Sequence, residues 1–445
     1  MNNKLIIQDG FALMNVLFLM LMTVFPSPLW FYAIIAISLM FIRNPIVIFP
    51  TCFVASLSNT YFGLSQFFAS SSGMSVGRFL SPILIISILI SLLSNSKRNI
   101  LNNNITILTF LFIVYCFFSC CISITGSFSP FIVIIQSLLI LLFLPGLNDI
   151  DLNRLMRLMW TSSLLVVLGI WLYVIRDGIE MLLYDRFTRN DEVNSNRIAM
   201  ICVQVGSALI VPFIIGKNKF LKIGSIVGYL LALVLTFFTG SRTGLISIIF
   251  APVIVFMVLP QTGRFSSKKT KNRNIILLVL FALVVFFIFT KLGEYDSKVL
   301  SRYSFQEVEE SGGSGRMGAI EVMLNEIFPM YPVFGVGLSG ENFVAVSIKY
   351  GITHPCHNIF LDSLCQLGIV GFLLFISLIT LIIRKSVSSL REAGNMLMVM
   401  PLILFVASVL NGIGETIYLE KFFWNNLALC VLFNINYNKQ INGTI

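Results

Sequence analysis

The sequence predicts an all-α polytopic membrane protein with about 12–14 transmembrane helices, and three observations predict it. Apolar residues make up 57% of the chain and charged residues only 11%, whereas soluble domains carry about a quarter charged residues. Apolar runs long enough to cross a ~30 Å hydrocarbon layer recur from one end to the other. The alternating segments of about ten residues that a transmembrane barrel requires are missing. Backbone groups in lipid must be satisfied within their own segment, so the runs are read as helices.

In chain order the predicted spans are 11–25, 29–42, 45–60, 79–94, 105–124, 129–145, 154–175, 196–216, 219–239, 243–259, 274–291, 357–383, 397–411 and 416–434. The first apolar run has no small-residue cleavage site. It passes through the turn FPSP directly into the second, so it reads as a retained helix. Alternate connections carry Arg43, Lys97 and Arg98, Arg154 and Arg157, Lys217 and Lys219, the basic cluster of 264–273, and Arg384, Lys385 and Arg391. Lysine and arginine collect in cytoplasmic loops, which places those connections and both termini in the cytoplasm. The net charge of +10 is therefore a signal of topology. Nucleic acid is excluded as a partner, because no basic surface with interleaved aromatics remains; the bilayer is the partner. Of the eight cysteines only Cys356 falls outside a predicted span, so no disulfide framework is expected.

This orientation leaves two long outward loops in one integral membrane domain of residues 1–445: 176–197 and 292–356. Polar loops on a rigid scaffold are where function concentrates. In the second, RMGAIEVMLNEIF predicts a short helix with Ala319, Met323 and Ile327 on one face. PMYPVFGVGLSG then predicts turns with exposed backbone N–H groups. Its GVG is not a dinucleotide fingerprint, since no strand or βαβ unit surrounds it.

Three features on the outward side carry chemistry. Arg242 lies in TGSRTG, where spans 9 and 10 meet. It can snorkel, or its planar fork can hold phosphate oxygens through a gap lined by small residues. Arg316 opens the short helix, where it opposes the helix dipole. It is either a solvated loop residue or the partner of the helix N–H groups in holding one anion. Arg186, Arg189 and Arg197 add charge in the first loop, among Asp185, Asp191 and Glu192.

The third feature is the pair His354 and His357, the only histidines in the chain. At 100° per residue, His357, Leu361, Leu364, Gly368 and Gly371 fall within about 40° of one line. The glycines would form a close-packing slot below the imidazole. Asp362 falls about 140° away, off that face. His354 precedes Pro355 and is expected outside the helix, as a neighbour shaping the mouth of the site. HxxH with Cys356 is too few ligands for zinc, so neither a metal nor another cofactor is expected. No nucleophile elbow marks a serine hydrolase. A lone imidazole is then either an interfacial residue without chemistry or a general base.

This combination resembles the O-antigen ligase and O-antigen polymerase superfamily. His357 and Gly368 fit its His-x10-Gly spacing, and SRTGLI is similar to its Arg-x3-Leu turn with Ile246 in the leucine place. The stretch GRMGAIEVMLNEIFPMYPVFGVGLSGENF looks like the segment before the histidine, with Arg316 at the phosphate-binding arginine. The resemblance covers residues 176–385; the first six spans match in hydropathy alone.

It implies a GT-C-type glycosyltransferase fold in a bacterial inner membrane. The implied reaction is metal-independent glycosyl transfer from undecaprenyl-diphosphate-linked glycans at the periplasmic face. Arg242, Arg316 and Arg186 would contact the diphosphate or substrate and His357 would be the base, with His354 and Gly368 in support. Polymerase and ligase differ only in acceptor, which is another lipid-linked repeat unit or lipid A–core. The chain length, span count and first outward loop favour polymerase, with a chain-length regulator protein as a further implied partner. A flippase or transporter without catalysis is the alternative of another class. Such proteins carry mid-membrane ionisable groups and internal repeats, and here Asp362 is the main acid inside a predicted span.

Overall fold

The computed structural model describes residues 3–58, 61–62, 64, 75–94, 104–147, 150–178, 187, 194–216, 218–259, 298–301, 303, 316–392 and 394–441. The predicted span 274–291, the basic cluster of 264–273, Arg186, and most of both long loops up to residue 315 lie outside them.

The described chain is built of helices: α1 (Asn3–Val24), α2 (Pro28–Met40), α3 (Pro45–Ser56), α4 (Val76–Leu93), α5 (Asn104–Cys121), α6 (Ser129–Phe143), α7 (Leu152–Asp177), α8 (Ser195–Leu209), α9 (Lys219–Phe238) and α10 (Arg242–Val258). After these come the short α11 (Arg316–Val322) and α12 (Gly340–Ser347), then α13 (Ile359–Arg391), α14 (Val399–Gly412) and α15 (Lys421–Ile441). Among the described residues, seven helices are long and apolar enough to cross a membrane. Short apolar helices such as α2, α3, α6 and α10 pack between them. This is an all-α polytopic membrane protein.

Local sequence sets the helix starts. Ser27, Asp151, Asn218, Ser241 and Asn358 each accept a backbone N–H of the first turn through the side chain. These residue types satisfy donors that have no intrahelical partner. Proline follows the cap of α2 and α3, where its missing N–H costs nothing. α5, α13 and α15 meet in an aromatic nest of Phe112, Phe375, Phe423 and Trp424, all buried. α10 lies between α8 and α14, which brings the start of α10 beside the turn after α14.

The longest helix departs from the expected geometry in two places. α13 begins at Ile359 behind the cap Asn358, so His357 precedes the helix instead of standing on its first turn. At Gly368 the backbone leaves helical values (φ 63°, ψ −176°) and the helix breaks. Gly368 and Gly371 therefore do not form a slot aligned below His357. The freed groups are met by the segment 331–337. Val336 and Gly337 N–H donate to Cys365 and Gln366 carbonyls at 3.0 Å, and Ile369 N–H donates to Pro332 O at 2.9 Å. Tyr115 Oη donates to Leu367 O at 2.5 Å. The N–H groups of PMYPVFGVG that the sequence predicted as exposed are thus partly consumed by α13.

A side chain at Gly368 would meet Val333 O at 2.3 Å and Gly335 N at 2.5 Å, in a backbone region reserved for glycine. Gly368→Ala is expected to lose at least about 3 kcal/mol of stability from strain and overpacking. Gly10→Ala in open space on α1 is expected to change stability by less than about 1 kcal/mol. Thermal unfolding in detergent compares the two. Equal melting temperatures would contradict the break described at Gly368.

Candidate active site

Four pieces of chain converge at one end of the helices: the start of α10, the start of α11, the segment 354–358, and the turn 413–420 between α14 and α15. Arg316 is the first residue of α11, as expected, and Ala319, Met323 and Ile327 are buried along one face. That apolar face docks on Phe343, Cys356 and Cys365, and so fixes the arginine.

The turn 413–420 supplies a residue that sequence reasoning missed. Glu415 Oε1 accepts from Asn196 Nδ2 at 2.7 Å and lies 3.7 Å from Arg316 Nη2. Its Oε2 lies 3.8 Å from His357 Nδ1, an approach without a hydrogen bond. Gly414 makes this meeting sterically possible. A Cβ there would fall 2.2 Å from Thr243 Cγ2 and 2.9 Å from Arg316 Nη1. Thr243 follows Arg242, so the first turn of α10 and Arg316 flank the same glycine. Arg242 itself is half-buried as the first residue of α10, behind the cap Ser241. Beside Glu415, Arg197 forms an ion pair with Glu420, which answers how its charge is used.

His357 has φ 52°, the only positive value among the described non-glycine residues. Left-handed backbone at such a residue persists only where its surroundings enforce it. Asp362 enforces it. One carboxyl oxygen accepts the N–H of Cys356 at 3.0 Å and the other that of Asn358 at 3.1 Å, on either side of the histidine. Thr416 Oγ1 also donates to Asp362, tying the turn with Glu415 to the segment with His357. The helical-wheel reading of Asp362 against the imidazole does not apply, because His357 precedes the helix. It also overlooked that the acid acts on the backbone.

His354 stacks on His357 with centroids 5.8 Å apart and planes inclined by 18°, and its Nδ1 lies 3.0 Å from Pro355 O. The two rings are paired by stacking. Burial, aided by the positive charge of Arg316 and by His354 and Arg197, pushes the His357 pKa down to about 4. Its imidazole is neutral near pH 7 and can accept a proton, with the side chain still 32% exposed. Burial raises the Glu415 carboxyl above its ordinary range, partly opposed by Arg197 and Arg316.

Of the predicted site residues, the structure gathers Arg316, His357 and His354, with Arg242 opening the neighbouring helix. Gly368 instead belongs to the break in α13, and Arg186 lies outside the described residues. Phe187, next to it, is buried and donates its N–H to Phe238 O at 3.0 Å, close in sequence to the turn with Arg242. A neutral base, guanidinium groups and a carboxylate at the end of membrane helices suit group transfer from an anionic leaving group.

Comparison with known families agrees with this chemistry. Residues 227–376 match the family model described as O-antigen ligase. This segment is similar to the O-antigen ligase and polymerase superfamily. The match runs from α9 into α13 and takes in Arg242, Arg316, His357 and Gly368, whereas Glu415 and Asn196 lie outside it. No curated protein matches the chain.

Proposed function

We propose that the protein is an O-antigen or related surface-polysaccharide polymerase, a metal-independent GT-C-type glycosyltransferase. It joins undecaprenyl-diphosphate-linked repeat units at the periplasmic face of the inner membrane. The observation that carries the reading is a neutral, half-buried imidazole beside Arg316 and Glu415 within a segment similar to this superfamily.

In the proposed reaction His357 removes the proton from an acceptor sugar hydroxyl as its oxygen attacks the anomeric carbon. The bond from that carbon to the diphosphate oxygen breaks, the electron pair leaves with the lipid diphosphate, and configuration inverts. Arg316 and Arg242 stabilise the charge that grows on the leaving group, where fixed donors in a water-poor site act most strongly. Arg186 is assigned to diphosphate or acceptor contact from sequence. Glu415 holds Arg316 and the Asn196 amide in place between turnovers.

The description of the matching family favours a second reading, in which the acceptor is lipid A–core and the protein is a ligase. Purified protein incubated with lipid-linked repeat units alone is expected to extend the glycan. Transfer that begins only after lipid A–core is added establishes the ligase. Neither product from folded protein would reject the enzyme reading in favour of a transporter.

A further inference from the structure

The segment between α11 and α12 carries no charged residue from 327 to 340, between Glu326 and Glu341. Met330, Tyr331, Val333 and Phe334 are all 36–47% exposed. Side chains of this size exposed together mark a contact surface. Phe334 lies edge-on against Phe118 of α5 at 5.5 Å, and Phe118 belongs to the exposed apolar face of that membrane helix. The patch is therefore continuous with surface that faces lipid.

Two further observations fix its depth. Arg384 and Lys385 are the first charged residues of α13 beyond the break, with Arg384 sixteen residues from Gly368. At 1.5 Å per residue they lie about 24 Å from the break, inside a hydrocarbon layer of ~30 Å. On α5, Phe118 stands fourteen residues from the helix start at Asn104, or about 21 Å. Both rulers place the 331–337 segment at the hydrocarbon edge on the side of the active site.

Irregular backbone at that depth requires internal partners, and the break at Gly368 provides them. Val336 and Gly337 N–H bond to α13, Pro332 and Val333 carbonyls accept from Ile369 and Val370, Gly335 N–H bonds to Tyr331 O, and Ile124 N–H bonds to Val336 O. Pro329 and Pro332 have no N–H to satisfy.

We infer that residues 330–334 insert into the acyl region of the leaflet on the active-site side, anchoring to lipid the segment that begins with Arg316. The partner is the phospholipid bilayer itself, and the broken helix is the device that lets a loop reside there. This inference is independent of the reaction catalysed.

The test is spin-label accessibility in the full-length protein reconstituted in phospholipid nanodiscs, with the exposed Cys121 first replaced by serine. Labels are placed at Val333, Phe334 and Met330, with Val114 on the lipid face of α5 and exposed Lys349 as references. The expected collision rates with oxygen, relative to a water-soluble nickel chelate, match Val114 within about twofold and exceed Lys349 severalfold. Ratios closer to Lys349 at Val333 and Phe334 would overturn the inference. The Met330 label gives the same reading if the Val333 or Phe334 variant does not fold.

Discussion

Replacing His357 with alanine is expected to lower product formation by about 10²–10⁴-fold, the usual contribution of a positioned general base. The variant should express and run as a folded protein, because the ring is one-third exposed and its Nδ1 makes no hydrogen bond. A base is active only when deprotonated, so the acid limb of the rate profile follows its pKa. With that value at about 4, the rate should stay flat from pH 8 down to about pH 5 and fall below it. A histidine at its ordinary pKa would already lose half the rate near pH 6.5. Because the chain has only two histidines, 13C labelling of the imidazole yields two resonances that a His354 substitution assigns. Arg316→Gln removes a positive charge that favours the neutral ring, so the His357 midpoint should move upward towards 6.5. An unchanged midpoint would remove Arg316 as a contributor to the neutral ring, and full activity in His357→Ala would remove the histidine from its assigned role.

That His357 and Arg316 belong to one candidate site was legible in the sequence, while the exact placement of His357 was not. A histidine between a polar loop and an apolar run is a local pattern, and so is an arginine that opens a short amphipathic helix. Spans are legible for the same reason, since hydropathy and capping residues act within a few turns. Asn358 also carried a readable signal: asparagine immediately before an apolar run caps a helix, which excludes His357 from α13. By contrast, the break at Gly368 depends on 331–337 arriving to bond α13, and no periodicity within 357–383 records that arrival. Glu415 was hidden by the same kind of non-locality. It sits in a terse connection that reads as a simple turn, and only the packing of α10 against α14 and α8 brings it to Arg316 and His357.

Asp362 is the residue whose loss should be felt next most strongly, although it touches no reacting atom in the proposed scheme. Asp362→Ala leaves two N–H donors and the Thr416 hydroxyl without their acceptor. Each such loss costs about 1–3 kcal/mol where the group stays buried. The left-handed backbone at His357, itself worth about 1–3 kcal/mol of strain, would then have nothing to enforce it. The chain should relax to an ordinary conformation and carry the imidazole out of line. A displacement of about 1 Å at a reacting group can cost 10²-fold, so a rate loss of about that size is expected. Asp362→Asn keeps one acceptor oxygen and should fall between alanine and the wild type. Lost rate alone would not separate positioning from general damage. The His357 resonance does so, because an imidazole released from burial and from Arg316 must titrate nearer 6.5. Folded Asp362→Ala protein with lost activity and an unmoved midpoint would mean that the carboxyl serves stability alone. A midpoint that rises with the loss of rate identifies Asp362 as the group that holds the base, and through Thr416 the turn that brings Glu415 to it.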